Sequence, residues 1–176
     1  MEGNDLDMQE LERNKLWGAG PDAERRSPEL VEDWAYIISS LSSLFFSTYY
    51  LDLEHDTFRA VTQLRQVGDV LGDEVSRTAA LRIYANHFIH PEDREEYLRV
   101  MSMDNLRESL RWWQPIAAVE YRGLLEEPSA PPNAWRWVRA SVVLARAGAD
   151  DRPQTAVYVA QDITGGRRAD QYSQHT

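Results

Sequence analysis

One stretch of the sequence combines residue types that could bind a metal or transfer protons. His87, His90, Glu92 and Asp93 form a cluster with metal-like composition. Pro91 disfavours helical geometry at His90, so we do not expect the two histidines to share a helix face. His87 could serve as an axial haem ligand, but a packed or solvated histidine is the commoner role. We therefore predict no metal site and disfavour a haem.

Other catalytic constellations are not apparent. The serines from Ser39 to Ser43 lack a Gly-x-Ser-x-Gly context, and Leu71–Val75 (LGDEV) is best interpreted as a helix start with acids at its positive end. We find no nucleophile–base–acid set, phosphate-binding glycine loop or recognisable carboxylate pair. The sequence favours a non-catalytic protein, and a small α+β enzyme of unrecognised type is the remaining catalytic alternative.

Net charge and cysteine content limit the kinds of partner and cofactor that the protein can have. The 176 residues carry a net charge of −10 and contain no cysteine. Like charges repel, so nucleic acid is not expected as a partner, and disulfides, thiolate metal sites and cysteine-dependent flavin photochemistry are excluded. The N-terminus does not resemble a signal peptide, and no apolar run approaches the ~20 residues of a membrane helix. We expect a cytoplasmic protein without membrane insertion.

The elements that must position any site begin with a long helix. Residues 1–26 are polar and are expected to form a flexible lead-in. Ser27–Phe45 begins with a cap, a proline and an acid, and its apolar residues recur every three or four positions. Its stripe approaches a heptad seam, so we predict an N-terminal cap or dimerisation helix and a homodimer. The predicted contact residues are Trp34, Ile38, Leu41 and Phe45.

Strands and helices then follow in separate groups. Ser47–Leu53 and Thr57–Gln63 flank a Glu54–Asp56 turn and predict a hairpin. Helices are predicted at Asp73–His87, from Pro91, and after a cap at Asp104. Three further strands are predicted at Pro115–Arg122, Trp135–Leu144 and Thr155–Ile163. This order predicts an α+β fold, with an antiparallel sheet and helices packed on one face.

Alternation along the predicted strands selects the residues that face the helices. The inward sheet residues are Tyr49, Leu51, Phe58, Ala60, Val119, Tyr121, Val138, Ala140, Val142, Tyr158 and Ala160. Their tyrosine hydroxyls could either bond to buried main chain or face a ligand. Tyr84 and His87 are the natural complements on the helical side. The candidate ligand-binding residues are therefore Tyr49, Tyr84, His87, Tyr121 and Tyr158, and a filled cavity is the alternative.

Three motifs occur in order on these elements. His90–Arg94 (HPEDR) opens a predicted helix, Trp135–Val138 (WRWV) lies on a predicted strand, and Asp162–Thr164 (DIT) closes the last strand. Together they resemble the motifs of PAS domains over roughly Phe45 to Gly165. The resemblance implies a five-stranded antiparallel sheet and a pocket between the sheet and the helices.

The resemblance also implies a sensory or dimerising role upstream of an output domain in bacterial signalling proteins, such as a diguanylate cyclase or a histidine kinase. The predicted boundaries are 27–45 for the cap helix, 46–165 for the sensory domain and 166–176 for the start of a linker. Asp162, Ile163 and Thr164 form the predicted signal exit. Gly165 and Gly166 follow, and because each costs about 1 kcal/mol in helix propensity, we expect a loose joint there. A ligand-free dimerisation or interaction module is the alternative function.

Overall fold

The structure is a computed structural model, and it describes Ser40, residues 44–125 and residues 134–173, with side chains as far as Arg168. The chain divides into two compact units, Met1–Leu41 and Ser42–Thr176. The sheet and helices below belong to the second unit. Of the predicted dimerisation residues, Trp34, Ile38 and Leu41 lie outside the described residues.

Five antiparallel strands form one sheet. They are β1 (Ser47–Asp52), β2 (Thr57–Thr62), β3 (Ile116–Leu124), β4 (Trp135–Ala147) and β5 (Pro153–Asp162). Their order across the sheet is β2-β1-β5-β4-β3, so β1 and β5 are neighbours in the middle of the sheet. The predicted hairpin and the three C-terminal strands are confirmed, with ends that differ by at most three residues.

One face of the sheet forms most of the core, as the alternation predicts. Leu51, Tyr121, Val138, Ala140 and Ala160 are almost fully buried on it. The interpretation fails at Ala60, which is exposed although it pairs with the buried Tyr49. β2 is the edge strand, so this end of the sheet is covered less completely than its centre.

Four helices and a short 3₁₀ turn lie between β2 and β3. The helices are α1 (Arg65–Leu71), α2 (Arg77–Phe88), α3 (Arg94–Met101) and α4 (Met103–Ser109), and the 3₁₀ turn is Pro91–Asp93. The α+β order predicted from the sequence is therefore confirmed. The helical layer packs against the sheet through side chains of the hydrophobic core, which are those of Tyr97, Met101, Leu106 and Leu110.

The predicted helix starts need correction. The helix placed at Asp73–His87 begins at Arg77, because the Ser76 hydroxyl accepts from the main-chain N–H of Ala79 at 3.3 Å. α1 was not predicted, and it ends at Gly72, whose φ of 55° suits glycine. The cap predicted at Asp104 is instead Ser102, whose hydroxyl accepts from Asn105 N–H at 3.1 Å.

The two ends of the domain also differ from expectation. Leu44 lies in a turn and the half-buried Phe45 is not helical, so the predicted N-terminal helix does not extend to Phe45. At the other end, α5 (Thr164–Ser173) starts directly after β5 and includes both Gly165 and Gly166. Within the described residues, no helix has the length and apolarity needed to cross a bilayer.

Candidate ligand-binding cavity

A cavity of about 60 Å³ lies between the β1–β5 part of the sheet and helices α1, α2 and α3. Its apolar walls are aliphatic side chains with one phenylalanine, and its polar lining consists of four tyrosines, a serine and an arginine. The apolar lining residues are Leu51, Phe58, Val67, Leu71, Ala80, Leu81 and Ala160, and the polar ones are Ser47, Tyr49, Arg77, Tyr84, Tyr97 and Tyr158. Phe58, Leu71 and Leu81 are only half-buried, whereas Leu51 and Ala160 are fully buried.

Three of the predicted tyrosines line this cavity, and a fourth supports it. Tyr49, Tyr84 and Tyr158 contribute to the lining. Tyr121 is fully buried beside them, and its hydroxyl oxygen lies 2.6 Å from that of Tyr84. Tyr97 was not among the predicted residues, but it lines the cavity from α3 and pairs with the Tyr158 hydroxyl at 3.1 Å.

The tyrosines form one packed aromatic cluster. Tyr97 and Tyr121 meet edge to face with ring centroids 4.9 Å apart, and Tyr49 meets Tyr158 in the same way at 5.8 Å. Burial raises the pKa of Tyr84, Tyr97, Tyr121 and Tyr158. The phenols are therefore neutral hydrogen-bonding groups at ordinary pH, and they contribute no negative charge to the cavity.

Arg77 is the charged group in the lining. It is the first residue of α2 and is only 4% exposed, and neither Nη1 nor Nη2 has a hydrogen-bond partner among the described residues. Burial lowers the pKa of its guanidinium, and the nearby Tyr97, Tyr158 and Asp56 side chains oppose that effect. Arginine keeps its proton across the ordinary pH range even when it is buried, so the group stays charged.

Asp56 holds the start of α2 rather than pairing with this arginine. Its Oδ1 accepts from the N–H of Thr78 at 3.1 Å and from the Thr78 hydroxyl at 2.8 Å. Its Oδ2 accepts from the Ser76 hydroxyl at 3.1 Å, and its main-chain carbonyl accepts from Arg77 N–H at 2.9 Å. The hairpin turn therefore positions Arg77 through its main chain.

His87 does not belong to the cavity, contrary to its predicted role. It lies on the last turn of α2, is exposed, and its Nδ1 is 2.8 Å from the carbonyl oxygen of Ile83. Ala85 and Phe88 occupy the buried side of that turn, which leaves His87 facing outward. The position weighed as a haem ligand therefore does not face the tyrosine cluster.

Arg77 and Tyr97 are the residues that sequence reasoning missed. A signal for Arg77 existed, because Arg77, Ala80, Leu81 and Tyr84 follow the i, i+3, i+4, i+7 spacing of one helix face. An arginine at such a position is normally assigned to the solvent, and only packing shows its burial. The signal for Tyr97 was its place within the helix after HPEDR.

The HPEDR motif joins the helical layer to β3. The Asp93 carboxylate accepts from the main-chain N–H and from Nε of Arg122, both at 2.8 Å, and from Nη2 at 2.9 Å. These bonds lower the pKa of Asp93. His90 N–H donates to the carbonyl of Arg122 at 2.8 Å, and the His90 ring meets Trp135 at 4.8 Å. His90 therefore has a structural role at this junction.

The DIT motif joins β5 to β4 and begins α5. Asp162 Oδ1 accepts from Thr164 N–H at 2.9 Å, and Asp162 Oδ2 pairs with Arg136 at 2.8 to 2.9 Å. Burial opposes ionisation of Asp162, but these bonds outweigh it and lower its pKa. Thr164 in turn accepts from the main-chain N–H of Trp137 at 3.0 Å.

The loose joint expected at Gly165–Gly166 is not observed. Both glycines lie in the first turn of α5, and Arg167 N–H donates to the Ile163 carbonyl at 3.1 Å. The Arg167 guanidinium lies 4.0 Å from the Trp137 ring centroid and pairs with Glu120. These side-chain contacts on the outer face of the sheet offset the low helix propensity of glycine.

Among the described residues, one group with metal-like composition lies at the hairpin turn, with one half-buried and two exposed members. Ligand atoms of Asp52, Glu54 and His55 lie within 4.8 Å of one another in the hairpin turn. Asp52 Oδ1 accepts from the N–H groups of Glu54 and His55 at 3.0 Å, and Asp52 Oδ2 is 2.9 Å from His55 Nδ1. These bonds are those of an Asx turn, so the cluster is explained by the chain reversal.

The strand order, the cavity under the sheet and the positions of the three motifs together decide the fold. The described domain has the PAS fold. HPEDR lies at the start of α3, WRWV lies at the start of β4, and DIT connects β5 to α5, as the resemblance implied.

Solved structures of similar fold include several signalling domains. An RNA-binding Light-Oxygen-Voltage receptor shares 19% identity over 73% of this chain and 30% of its own length, with a TM-score of 0.46. The N-terminal domain of a diguanylate cyclase with a PAS/PAC sensor from Marinobacter aquaeolei shares 15% identity over 69% of this chain and 97% of its own length, with a TM-score of 0.45.

A sensory box histidine kinase/response regulator from Burkholderia thailandensis E264 shares 16% identity over 78% of this chain and 92% of its own, with a TM-score of 0.45. The present chain spans less than a third of the length of the Light-Oxygen-Voltage receptor named above. No protein-family model and no curated protein sequence matches the chain.

Proposed function

We propose that this PAS-fold domain is a non-catalytic cytoplasmic sensory module, in which a small molecule in the cavity changes the sheet and thereby the exit helix α5. One observation carries the proposal: the cavity and the exit share β5. Tyr158 and Ala160 line the cavity, and Asp162 on the same strand accepts from the first N–H of α5. A shift of β5 on ligand binding would therefore reach α5 within one strand.

The contacts of α5 with the sheet support the transmission of a structural change through this helix. Thr164 and Arg167 hold its first turn against β4 and β3 through Trp137 and Glu120. An output domain after α5 in the full-length protein would sense a change in this docking. We include such a downstream domain, of the cyclase or kinase kind, in the proposal.

The proposal is tested on the full chain purified without refolding. Native mass spectrometry would reveal a retained ligand, and a metabolite panel would be screened for a rise in melting temperature. Hydrogen exchange of the α5 amides is then measured with and without the ligand found. We expect a bound small molecule and altered exchange in α5. A clean apo mass with no stabilisation across the panel would reject small-molecule sensing.

A cavity-filling variant provides a matched control. Ala160→Met places a larger side chain in the cavity. Val159→Met also introduces a methionine into β5, but on the opposite face of the strand. Overpacking costs about 1–3 kcal/mol, so both variants are first checked for cooperative unfolding. We expect Ala160→Met alone to abolish ligand binding.

A ligand-free dimerisation module is the second candidate, and the outer sheet face favours it. Tyr50, Val157, Val143 and Ile116 lie opposite one another in register across four strands. Tyr50, Val143 and Ile116 are between 36% and 53% exposed. An apolar row of this kind is typical of an interaction surface.

Sedimentation velocity tests the dimer. Val143→Glu would disrupt a dimer formed through the sheet, and Ile38→Asp with Leu41→Asp would disrupt one formed through the predicted N-terminal helix. An unchanged sedimentation coefficient in both variants would reject dimerisation through these surfaces.

A further inference from the structure

We propose that the ligand of the cavity is a small monocarboxylate with a short apolar body, and that Arg77 binds its carboxylate group. This inference rests on the proposed sensory function and specifies its ligand class. It begins with an arginine that is 4% exposed, lines the cavity, and leaves Nη1 and Nη2 without partners among the described residues. Buried guanidinium groups are normally paired, because an unpaired one forfeits its hydration.

In the part of the chain that the structure describes, no group forms a hydrogen bond with Nη1 or Nη2 of Arg77. Asp56 gives both carboxylate oxygens to Ser76 and Thr78, as described above. Arg77 also lies at the first position of α2, where the positive end of the helix dipole adds to its own charge. An anion in the cavity would balance the charge of Arg77 and the positive end of the helix dipole.

Hydroxyl groups beside Arg77 supply a further donor. In the Tyr97–Tyr158 pair, the oxygens lie 3.1 Å apart, and one hydroxyl donates to the other. Tyr158 also bonds to the Tyr121 hydroxyl, and Tyr121 bonds to that of Tyr84, so four phenols share three hydrogen bonds and one O–H proton of the network is left over. The two Nη groups without partners match the two oxygens of one carboxylate, which pairs with guanidinium in a two-pronged geometry.

The walls and the volume limit the rest of the ligand. Leu51, Val67, Ala80, Leu81 and Ala160 can contact only an apolar body. A volume of about 60 Å³ holds roughly four to six water-sized groups, which corresponds to a carboxylate with a short chain. A phosphate dianion would present more oxygens and more charge than one arginine and one hydroxyl can satisfy.

Binding measurements on the full chain distinguish charge from shape. Isothermal titration compares butyrate with its neutral isostere butyramide and with inorganic phosphate. We expect butyrate to bind wild-type protein and to raise its melting temperature, with butyramide at least about tenfold weaker because it lacks the charge-assisted bonds. Butyramide or phosphate binding as tightly as butyrate would overturn the carboxylate assignment.

Two methionine variants place the charge at Arg77. Arg77→Met removes the guanidinium and keeps an apolar side chain, while Arg82→Met removes an exposed arginine from the same helix. We expect Arg77→Met to weaken butyrate about 10- to 100-fold and Arg82→Met to leave it unchanged. Equal butyrate affinity in wild type and Arg77→Met would overturn the proposal.

Further variants and outcomes distinguish a failure of folding from a failure of this ligand class or of the proposed function. Arg77→Met should unfold cooperatively, since it removes an uncompensated buried charge. If it does not, Arg77→Lys decides: its point charge lacks the planar fork, so weakened butyrate binding supports the proposal and unchanged binding contradicts it. Binding of a neutral metabolite without butyrate binding would reject this ligand class and retain the sensory module. A cavity that binds neither, with no response across the panel, would reject both.

Discussion

The main-chain N–H of Trp137 on β4 donates a hydrogen bond of 3.0 Å to the hydroxyl of Thr164, the first residue of α5. Thr164 is only 5% exposed, and the adjacent Ile163 N–H donates to the Trp137 carbonyl at 2.8 Å. This pair of bonds fixes the start of α5 to the sheet. The first turn of α5 is therefore docked, although two glycines follow Thr164.

The Thr164 hydroxyl should be needed for this docking. Thr164→Val keeps the size of the side chain but leaves the Trp137 N–H without its acceptor, which we expect to cost about 1–3 kcal/mol of unfolding free energy. Urea denaturation measures the loss, and hydrogen exchange should show faster exchange in α5. Thr164→Ser keeps the hydroxyl and should stay within about 1 kcal/mol of wild type. Equal stability of the valine and serine variants would contradict the assigned role.

Asp56 should control the start of α2. It has a positive φ of 53°, and its carboxylate accepts from the Thr78 N–H and the hydroxyls of Thr78 and Ser76. Asp56→Ala removes these bonds to the first turn of α2 and places alanine in the left-handed region, so we expect a loss of about 2–3 kcal/mol. Asp56→Asn tolerates this φ and still accepts from Thr78, so its loss should be smaller. Thermal and urea unfolding measure both, and an alanine variant no worse than asparagine would refute this account.

Acid should weaken the junction between the HPEDR motif and β3. Hydrogen bonds from Arg122 lower the pKa of Asp93 below its ordinary value of 3.8. A carboxyl group whose pKa is depressed in the folded state stabilises the fold above its unfolded pKa, and this stability is lost as pH falls through the folded value. The contribution is therefore complete near neutral pH and declines below about pH 3.8.

Asp93→Asn tests this dependence. We expect the variant to be about 1–3 kcal/mol less stable than wild type at pH 7, because a charge-assisted pair is lost. The difference should shrink as the pH is lowered below 3.8 in urea titrations. Glu95→Gln, two residues away on an exposed position of α3, provides the control. A wild-type to Asp93→Asn difference that is constant from pH 7 to pH 3 would contradict the interpretation.

Local pattern predicted the sheet well. Val138, Ala140 and Val142 alternate along β4 and are fully buried, as the period-two pattern indicates. Ser76 and Ser102 show where local pattern was insufficient, because each caps a helix whose start had been placed at a nearby acidic residue. Several residues near a helix start can serve as caps, and the tertiary contact of Asp56 with Thr78 selects among them.

The sequence by itself determined the α+β class, the strands and their buried faces, and the three motifs that indicate a PAS fold, because periodicity and capping are local properties. The tertiary structure decided which of the predicted residues meet. It brings Tyr84 to Tyr121 and Tyr97 to Tyr158, leaves His87 outside, and buries Arg77 beside the cavity. Those outcomes depend on how α2 and α3 pack across β1 and β5, and the contacts join residues as many as 61 positions apart. The same dependence holds for α5, where Trp137 and Glu120 hold a helix start that glycine propensity alone disfavours.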